Sequence, residues 1–420
     1  MKRRTFLQSL LAGTAGAHAW LSSSPLSLSF NRALAAEGKT LVVVFQRGGC
    51  DGLNCIVPYA DPRYYVLRPT IGIPAPDPAN PESAIDLDGT FGFHPQLAAL
   101  HPSWVAGNLA LLPTVQYDSP SRSHFSSQHF IESGQRENVS DGWLNRHFQT
   151  QQFAAQLRAV GISNELVQSL RGNATVTSIS NIDTFSLGIS EAEQTLLLGH
   201  LGDQYASTDD MLPNHRLVNR FGSQVVQDLD VIQYVRSLPY NPDNGAVYPS
   251  SSFGRSMTQV AKLIKADVGL EVATVDIGGW DTHSNQGAGQ ANGSQARALR
   301  NLATGVAALS QDLGSRMDNT VILICTEFGR TAHENGSRGT DHGVASTWYV
   351  LGNTVQGGIY GSWPGLDEGD LDRGRFLRHT IDYRDIYGDI LTQHLENNAL
   401  EELLPGHTYQ PIGLFQPPVV

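Results

Sequence analysis

Residues 41–45, 272–277 and 321–325 are dominated by β-branched and aliphatic side chains, with little of the polar–apolar alternation that marks a strand wetted on one face. Such runs read as strands covered on both faces, and residues 109–115 and 348–351 extend the set. Amphipathic segments at 95–106, 124–133, 216–236, 255–265, 296–313 and 383–396 lie between or after them and read as helices. Doubly covered strands alternating with helices specify an α/β fold: a mostly parallel central sheet with helices on both faces. The Pro-, Gly- and Asp-rich segments 74–90 and 240–251 read as surface loops.

The composition agrees with a folded chain. Of 420 residues, 40% are hydrophobic and 16% charged, which excludes a disordered polyelectrolyte. Lys and Arg number 28 against 40 Asp and Glu, a net charge of -12 that disfavours a nucleic-acid partner. The first 36 residues differ from the rest: Lys2-Arg3-Arg4-Thr5-Phe6-Leu7-Gln8 precedes a mildly apolar stretch and then Ala33-Leu34-Ala35. This segment resembles a twin-arginine export signal, too polar and interrupted to make a stable membrane span. The expectation is a cleaved leader at 1–36 and a single domain at 37–420, exported by the twin-arginine machinery to the periplasm or beyond. Three cysteines without a C-x-x-C pair exclude a disulfide framework and a zinc ribbon.

Acidic residues recur just after the predicted strands. Asp51 follows the first strand after Gly48-Gly49, Asp281 follows 272–277 after Gly278-Gly279, and Glu327 follows 321–325 almost directly. In a parallel sheet these strand ends share one edge, where α/β proteins bind ligands. His283 lies two residues beyond Asp281, and Gly339-Thr340-Asp341-His342-Gly343 offers another imidazole beside the strand at 348–351. Asp51, Asp281, His283, Glu327 and His342 are therefore the expected ligands of a divalent metal. Their mix of oxygen and nitrogen favours Zn, with Mn or Ca as alternatives.

Phe45-Gln46-Arg47-Gly48-Gly49-Cys50-Asp51-Gly52-Leu53-Asn54, with Pro58-Tyr59-Ala60-Asp61, Tyr64-Tyr65 and Arg68-Pro69, resembles the opening of the exported bacterial family catalogued as domain of unknown function 1501. So do Ser123-His124-Phe125, Gly279-Trp280-Asp281-Thr282-His283, Thr326-Glu327-Phe328-Gly329-Arg330-Thr331, Gly339-Thr340-Asp341-His342-Gly343 and Gly357-Gly358-Ile359-Tyr360-Gly361. That family in turn resembles the alkaline phosphatase and sulfatase superfamily. The resemblance implies a metal-centred α/β hydrolase in which Asp51 matches the first-strand metal aspartate and Asp281 with His283 an Asp–His pair at closer spacing. Glu327 stands for the Asp of an Asp-His pair and His342 for the last metal histidine. Phe328 occupies the place of that pair's histidine, so a nitrogen ligand is missing unless His333 or His124 supplies it. The sulfatase modification motif appears only as Asp118-Ser119-Pro120-Ser121-Arg122, with Asp at the position to be modified.

A hydrolase of this kind needs a nucleophile and donors for a developing anion. Ser123 precedes His124 at an expected helix start, where the helix dipole favours an alkoxide and a bound phosphate, so Ser123 and His124 are the catalytic candidates. Arg47, Arg122 and Arg330 are the candidate substrate-binding cations. The expected activity is hydrolysis of phosphate or sulfate esters of a small molecule or polymer. The alternatives are a non-catalytic envelope protein on the same fold, or a metal-dependent lyase or transferase acting on an extracellular polymer.

Overall fold

The computed structural model describes residues 38–416 apart from 138, 152–156, 186–188 and 207–212, so the expected export leader lies outside the described residues. The central sheet contains β1 (Thr40–Gln46), β2 (Leu109–Gln116), β3 (Ala159–Ile162), β4 (Thr177–Ser178), β5 (Val272–Ile277), β6 (Thr320–Thr326), β7 (Ser346–Leu351), β8 (Gly358–Ile359) and β9 (Ile381–Asp382). Its order is β8-β2-β7-β6-β1-β5-β3-β4, with β9 also paired to β2. The pairings are parallel except those of β7, which runs antiparallel to both β6 and β2. The sheet is thus mixed and mostly parallel, as the doubly apolar strands require.

β1 lies in the middle, with Leu41 level with Val272 of β5 on one side and Val321 of β6 on the other. Because side chains alternate across a strand, β1 feeds two cores at once. Val42 and Val44 pack with Phe253, Met257 and Val260 of α5 (Ser252–Lys265) and with Leu299, Leu302 and Val306 of α6 (Ser294–Leu313). Leu41, Val43 and Phe45 pack on the opposite face with Trp143 and Leu144 of α2 (Trp143–Thr150) and with Tyr383, Ile386 and Tyr387 of α7 (Tyr383–Asp389). Each fully buried Val or Leu here contributes roughly 1.5–3 kcal/mol, so a polar residue at any of positions 41–45 would cost one core or the other.

The remaining long helices are α1 (His124–Ser133), α3 (Glu191–Ala206) and α4 (Pro213–Ser237). α1 stops at Gly134, whose φ of 70° makes a left-handed C-cap. The segment expected as one helix over 95–106 is a 3-10 turn, Pro95–Leu100, running into a short α-helix, His101–Val105. The segment expected over 383–396 changes at Ile390–His394 into a π-helical turn. The expected loop at 74–90 carries a short strand, Ile85–Asp86, which joins Gly92–Phe93 and Ile56–Val57 in a small antiparallel sheet. All three cysteines are free and buried. Among the described residues, no helix is long and apolar enough to cross a membrane.

Two buried histidines tie this scaffold and make it acid-labile. His94 donates through Nε2 to the Ala288 carbonyl at 3.1 Å, and His394 through Nε2 to the Thr40 carbonyl at 3.0 Å. Burial disfavours the imidazolium and pushes both down to about 4 from an ordinary 6.5. The unfolded chain takes up these protons as pH falls through 6.5 and the folded chain only near 4. Stability is therefore full above pH 6.5 and drains between 6.5 and 4, by up to roughly 3 kcal/mol per histidine. Urea midpoints measured from pH 7 to 4.5 should fall steeply, and His394→Gln should flatten part of that fall.

Candidate metal centre

β1, β5 and β6 end side by side at Gln46, Ile277 and Thr326. The chain leaves β1 through Gly48, at a φ of 125°, where a Cβ would stand 2.7 Å from the backbone nitrogen of Asp281. Only glycine lets the exits of β1 and β5 approach so closely. Asp281, His283 and Glu327 are brought to one place by these exits, and α1 and the loop before β7 add His124 and His342.

The geometry could hold a metal ion. Oδ1 of Asp281 lies 3.0 Å from Nε2 of His283, 3.3 Å from Nε2 of His342 and 3.6 Å from Nε2 of His124. The ligand atoms of His124, Asp281 and His342 all fall within 4.8 Å of one another, and Nε2 of His283 is 3.1 Å from Nε2 of His342. Each imidazole is held through its other nitrogen: His124 Nδ1 to Glu327 Oε1 at 2.8 Å, His283 Nδ1 to Asp341 Oδ1 at 3.2 Å, and His342 Nδ1 to the Arg122 carbonyl at 2.8 Å. Ionised carboxylates and carbonyls only accept, so each Nδ1 carries the hydrogen and each Nε2 turns a lone pair inward. Nε2 of His124 is buried without a hydrogen-bond partner. Lone pairs facing each other and a carboxylate oxygen repel unless a cation or a proton lies among them. Zinc bound at about 2.1 Å places tetrahedral ligands about 3.4 Å apart, close to the separations seen around Asp281.

The surrounding charges hold this arrangement. Burial pushes the Asp281 carboxyl up, but the Arg330 guanidinium, 2.6 Å from its Oδ1, together with His283 and His342 keeps it below the usual carboxylate range. The Glu327 hydrogen bond raises His124, whereas burial, with Arg330 and His124 nearby, lowers His342. Glu327 is itself enclosed: burial pushes it up, yet hydrogen bonds from His124, Gln128 Nε2 at 2.9 Å and the Gly48 amide at 2.9 Å hold it below its ordinary value.

Residues 38–404 match the profile of the family described as "Protein of unknown function (DUF1501)". The chain belongs to the DUF1501 family. In solved structures, this DUF1501 protein is similar to the C-terminal periplasmic domain of EptC from Escherichia coli in complex with Zn, at 11% identity over 75% of this chain and 73% of that one, TM-score 0.34. It is similar to the phosphonate monoester hydrolase of Agrobacterium radiobacter, at 10% identity over 89% of this chain and 79% of that one, TM-score 0.32. It is also similar to the alkaline phosphatase of the Antarctic bacterium TAB5, at 8% identity over 76% of this chain and 94% of that one, TM-score 0.31. No curated protein matches the sequence.

Of the residues expected at the site of this DUF1501 protein, the structure gathers Asp281, His283, His342 and His124. Glu327 touches the set through His124, as a carboxylate that orients an imidazole. Asp51 is not brought to it: its two oxygens meet Nη1 and Nη2 of Arg68 at 2.6 and 2.9 Å, and Gln286 Nε2 donates to Oδ2 at 2.6 Å. Arg47 is engaged by Glu132 at 2.8 Å and Asp276 at 2.9 Å and reaches the set only through Gln128, which donates to Glu327. Arg330 is fully buried and, besides Asp281, donates to the carbonyls of Gly48, Gly49, Trp280 and Thr340, so it positions the strand exits. Arg122 offers the site its carbonyl, while its guanidinium lies 4.8 Å over the Phe376 ring. Ser123 is the exposed N-cap of α1 and makes no side-chain capping bond.

Phe328, standing where a ligand histidine was expected, packs 4.9 Å from the His124 ring, and it is a nitrogen of His124 that lies within 4.8 Å of Asp281 and His342. His333 is exposed and takes no part in the contacts of the set. Sequence reasoning passed over Asp341 and Gln128 as supporting residues. The adjacent Asp341-His342 dipeptide was visible, but that Asp341 serves His283 is a tertiary fact. Glu327→Gln should remove the charge that holds His124 in its tautomer and weaken metal affinity by about 10–100-fold, measured by chelator competition.

Proposed function

We propose that this protein is an exported, zinc-dependent hydrolase of phosphate or sulfate esters. The observation that carries the reading is the convergence of the inward-facing Nε2 atoms of His124 and His342 on the Asp281 carboxylate. Two imidazoles and one carboxylate are a three-ligand set, the kind that leaves a zinc position open for substrate or water. A cation bound there would polarise an ester oxygen and acidify a neighbouring hydroxyl or water.

In this reading the protein's own residues divide the remaining work. His283, the outermost imidazole with its side chain 45% exposed, donates from Nδ1 to Asp341 and brings its Nε2 to 3.0 Å from Asp281 Oδ1 and 3.1 Å from His342 Nε2, where it would serve as a fourth ligand on the open side of the site. Ser123 supplies the nucleophile: its hydroxyl is not engaged in capping, it precedes His124, and it sits at the positive end of α1. Arg330 keeps Asp281 ionised and holds the strand-exit carbonyls in place, as a positioning residue.

The test is elemental analysis of protein purified without chelator, followed by turnover of aryl phosphates, phosphodiesters and aryl sulfates. About one zinc per chain, with turnover lost on chelation and restored by zinc, is the expected result. Protein free of bound metal, or a metal-loaded protein inert toward every ester class, overturns the reading.

A further inference from the structure

Beside the metal centre lies a cavity of about 420 Å³ walled by the loop after β2 and the loop before β9. Arg122, Arg373, Arg378 and His379 line it against a single acid, Asp372, with Phe376 among its apolar lining. It shares structure with the metal centre: the Arg122 carbonyl accepts from His342 Nδ1, and Val344, two residues after His342, forms part of the wall.

The cations are placed and largely unneutralised. The Arg122 guanidinium lies over Phe376, and Arg378 Nη2 donates to the carbonyls of Gly369 at 3.0 Å and Leu371 at 3.4 Å. Among the described residues neither arginine has a carboxylate within ion-pair distance. Arg373 stands 4.0 Å from Asp372 on a left-handed backbone with φ 50°, and His379 is held by Asp118 at 3.2 Å. Three guanidinium groups around one concavity repel one another unless an anion enters, and their forked donors suit sulfate, phosphate and carboxylate oxygens. In a chain of net charge -12 such a concentration of positive charge is local, and the volume suits a ligand the size of a charged sugar ring.

We infer that this cavity is an anion subsite holding a second negatively charged group of the substrate, so that the substrate class is a multiply charged ester such as a sulfated or phosphorylated glycan. The substrate class rests on the hydrolase reading above; the anion site does not. The test uses the protein as purified and Arg373→Gln/Arg378→Gln, with fluorescein-labelled dextran sulfate followed by anisotropy and neutral dextran as control. Dextran sulfate should bind in a salt-sensitive manner, the double variant should lose at least about tenfold in affinity, and neutral dextran should not bind. Arg378→Lys, which keeps the charge and loses the fork, should recover part of the loss.

Turnover of p-nitrophenyl phosphate, which has no second anionic group, should be unchanged in the double variant. Equal affinity of wild type and double variant for dextran sulfate, or equal binding of neutral dextran, overturns the subsite. Binding lost in the double variant of a protein that hydrolyses no ester leaves the anion site standing and removes the hydrolase reading.

Discussion

In the proposed zinc-hydrolase reading, Asp281→Ala should empty the metal centre and lower ester turnover by at least about a thousandfold, while leaving the fold intact. Asp281 is the one anion among the groups that face inward, and its Oδ1 also meets Arg330 at 2.6 Å. Removing it deletes a ligand and at the same time uncovers a fully buried guanidinium beside three imidazoles. A divalent cation is then opposed by a positive charge where it had been attracted by a negative one. The side chain is 49% exposed, so little core packing is lost and the chain should still fold, but the buried Arg330 guanidinium loses its carboxylate and the thermal midpoint should fall.

Asp281→Asn separates the two effects. Its amide oxygen still accepts from Arg330 and preserves the shape of the exit from β5, but the charge is gone. It should retain the fold, bind zinc weakly, and turn over slowly at high added zinc, where Asp281→Ala should not recover. Elemental analysis, chelator competition and initial rates on the same preparations distinguish these results. A fully metal-loaded and active Asp281→Ala protein would show that the histidine cluster is structural decoration around some other chemistry.

The strands were legible because their chemistry is unambiguous. β1 and β6 are apolar on successive positions between their ends, and β5 is so apart from Thr274 and Asp276; a strand covered on both sides tolerates that. β3 was not legible: Ala159–Ile162 is four residues long, contains Gly161, and becomes a strand through its parallel pairing with β5. The π-helical turn at Ile390–His394 likewise follows from tertiary packing, since an apolar periodicity does not reveal a local change in hydrogen-bond register. For the site, spacing along the chain gave Asp281 with His283, which leave one strand together. It did not give the role of His124, because α1 reaches the same edge through the fold, nor the division of the acids into those that face a cation and those that orient a histidine or bind an arginine.

Asp51 makes that last distinction testable, and its replacement should have the second large effect. Its carboxylate and the Arg68 guanidinium, 1% and 0% exposed, form a buried two-pronged pair. Arg68 continues to the carbonyls of Thr331 and Ala332 at 3.0 Å each and to Asn54 Oδ1, so it stitches the exit of β1 to the segment after β6. Burial opposes the guanidinium's charge, and the Asp51 carboxylate outweighs it and holds Arg68 protonated. Asp51→Asn leaves that charge buried without its counterion and should cost about 3–5 kcal/mol, as should Arg68→Met, which strands the carboxylate. Asp51→Asn/Arg68→Met should recover part of the loss, because neither member is then a buried unpaired charge. Urea denaturation of the four proteins gives the coupling, and their zinc content gives the role. Loss of stability with zinc retained in the folded fraction is expected for a structural pair; a stable Asp51→Asn protein without zinc would instead make Asp51 a ligand.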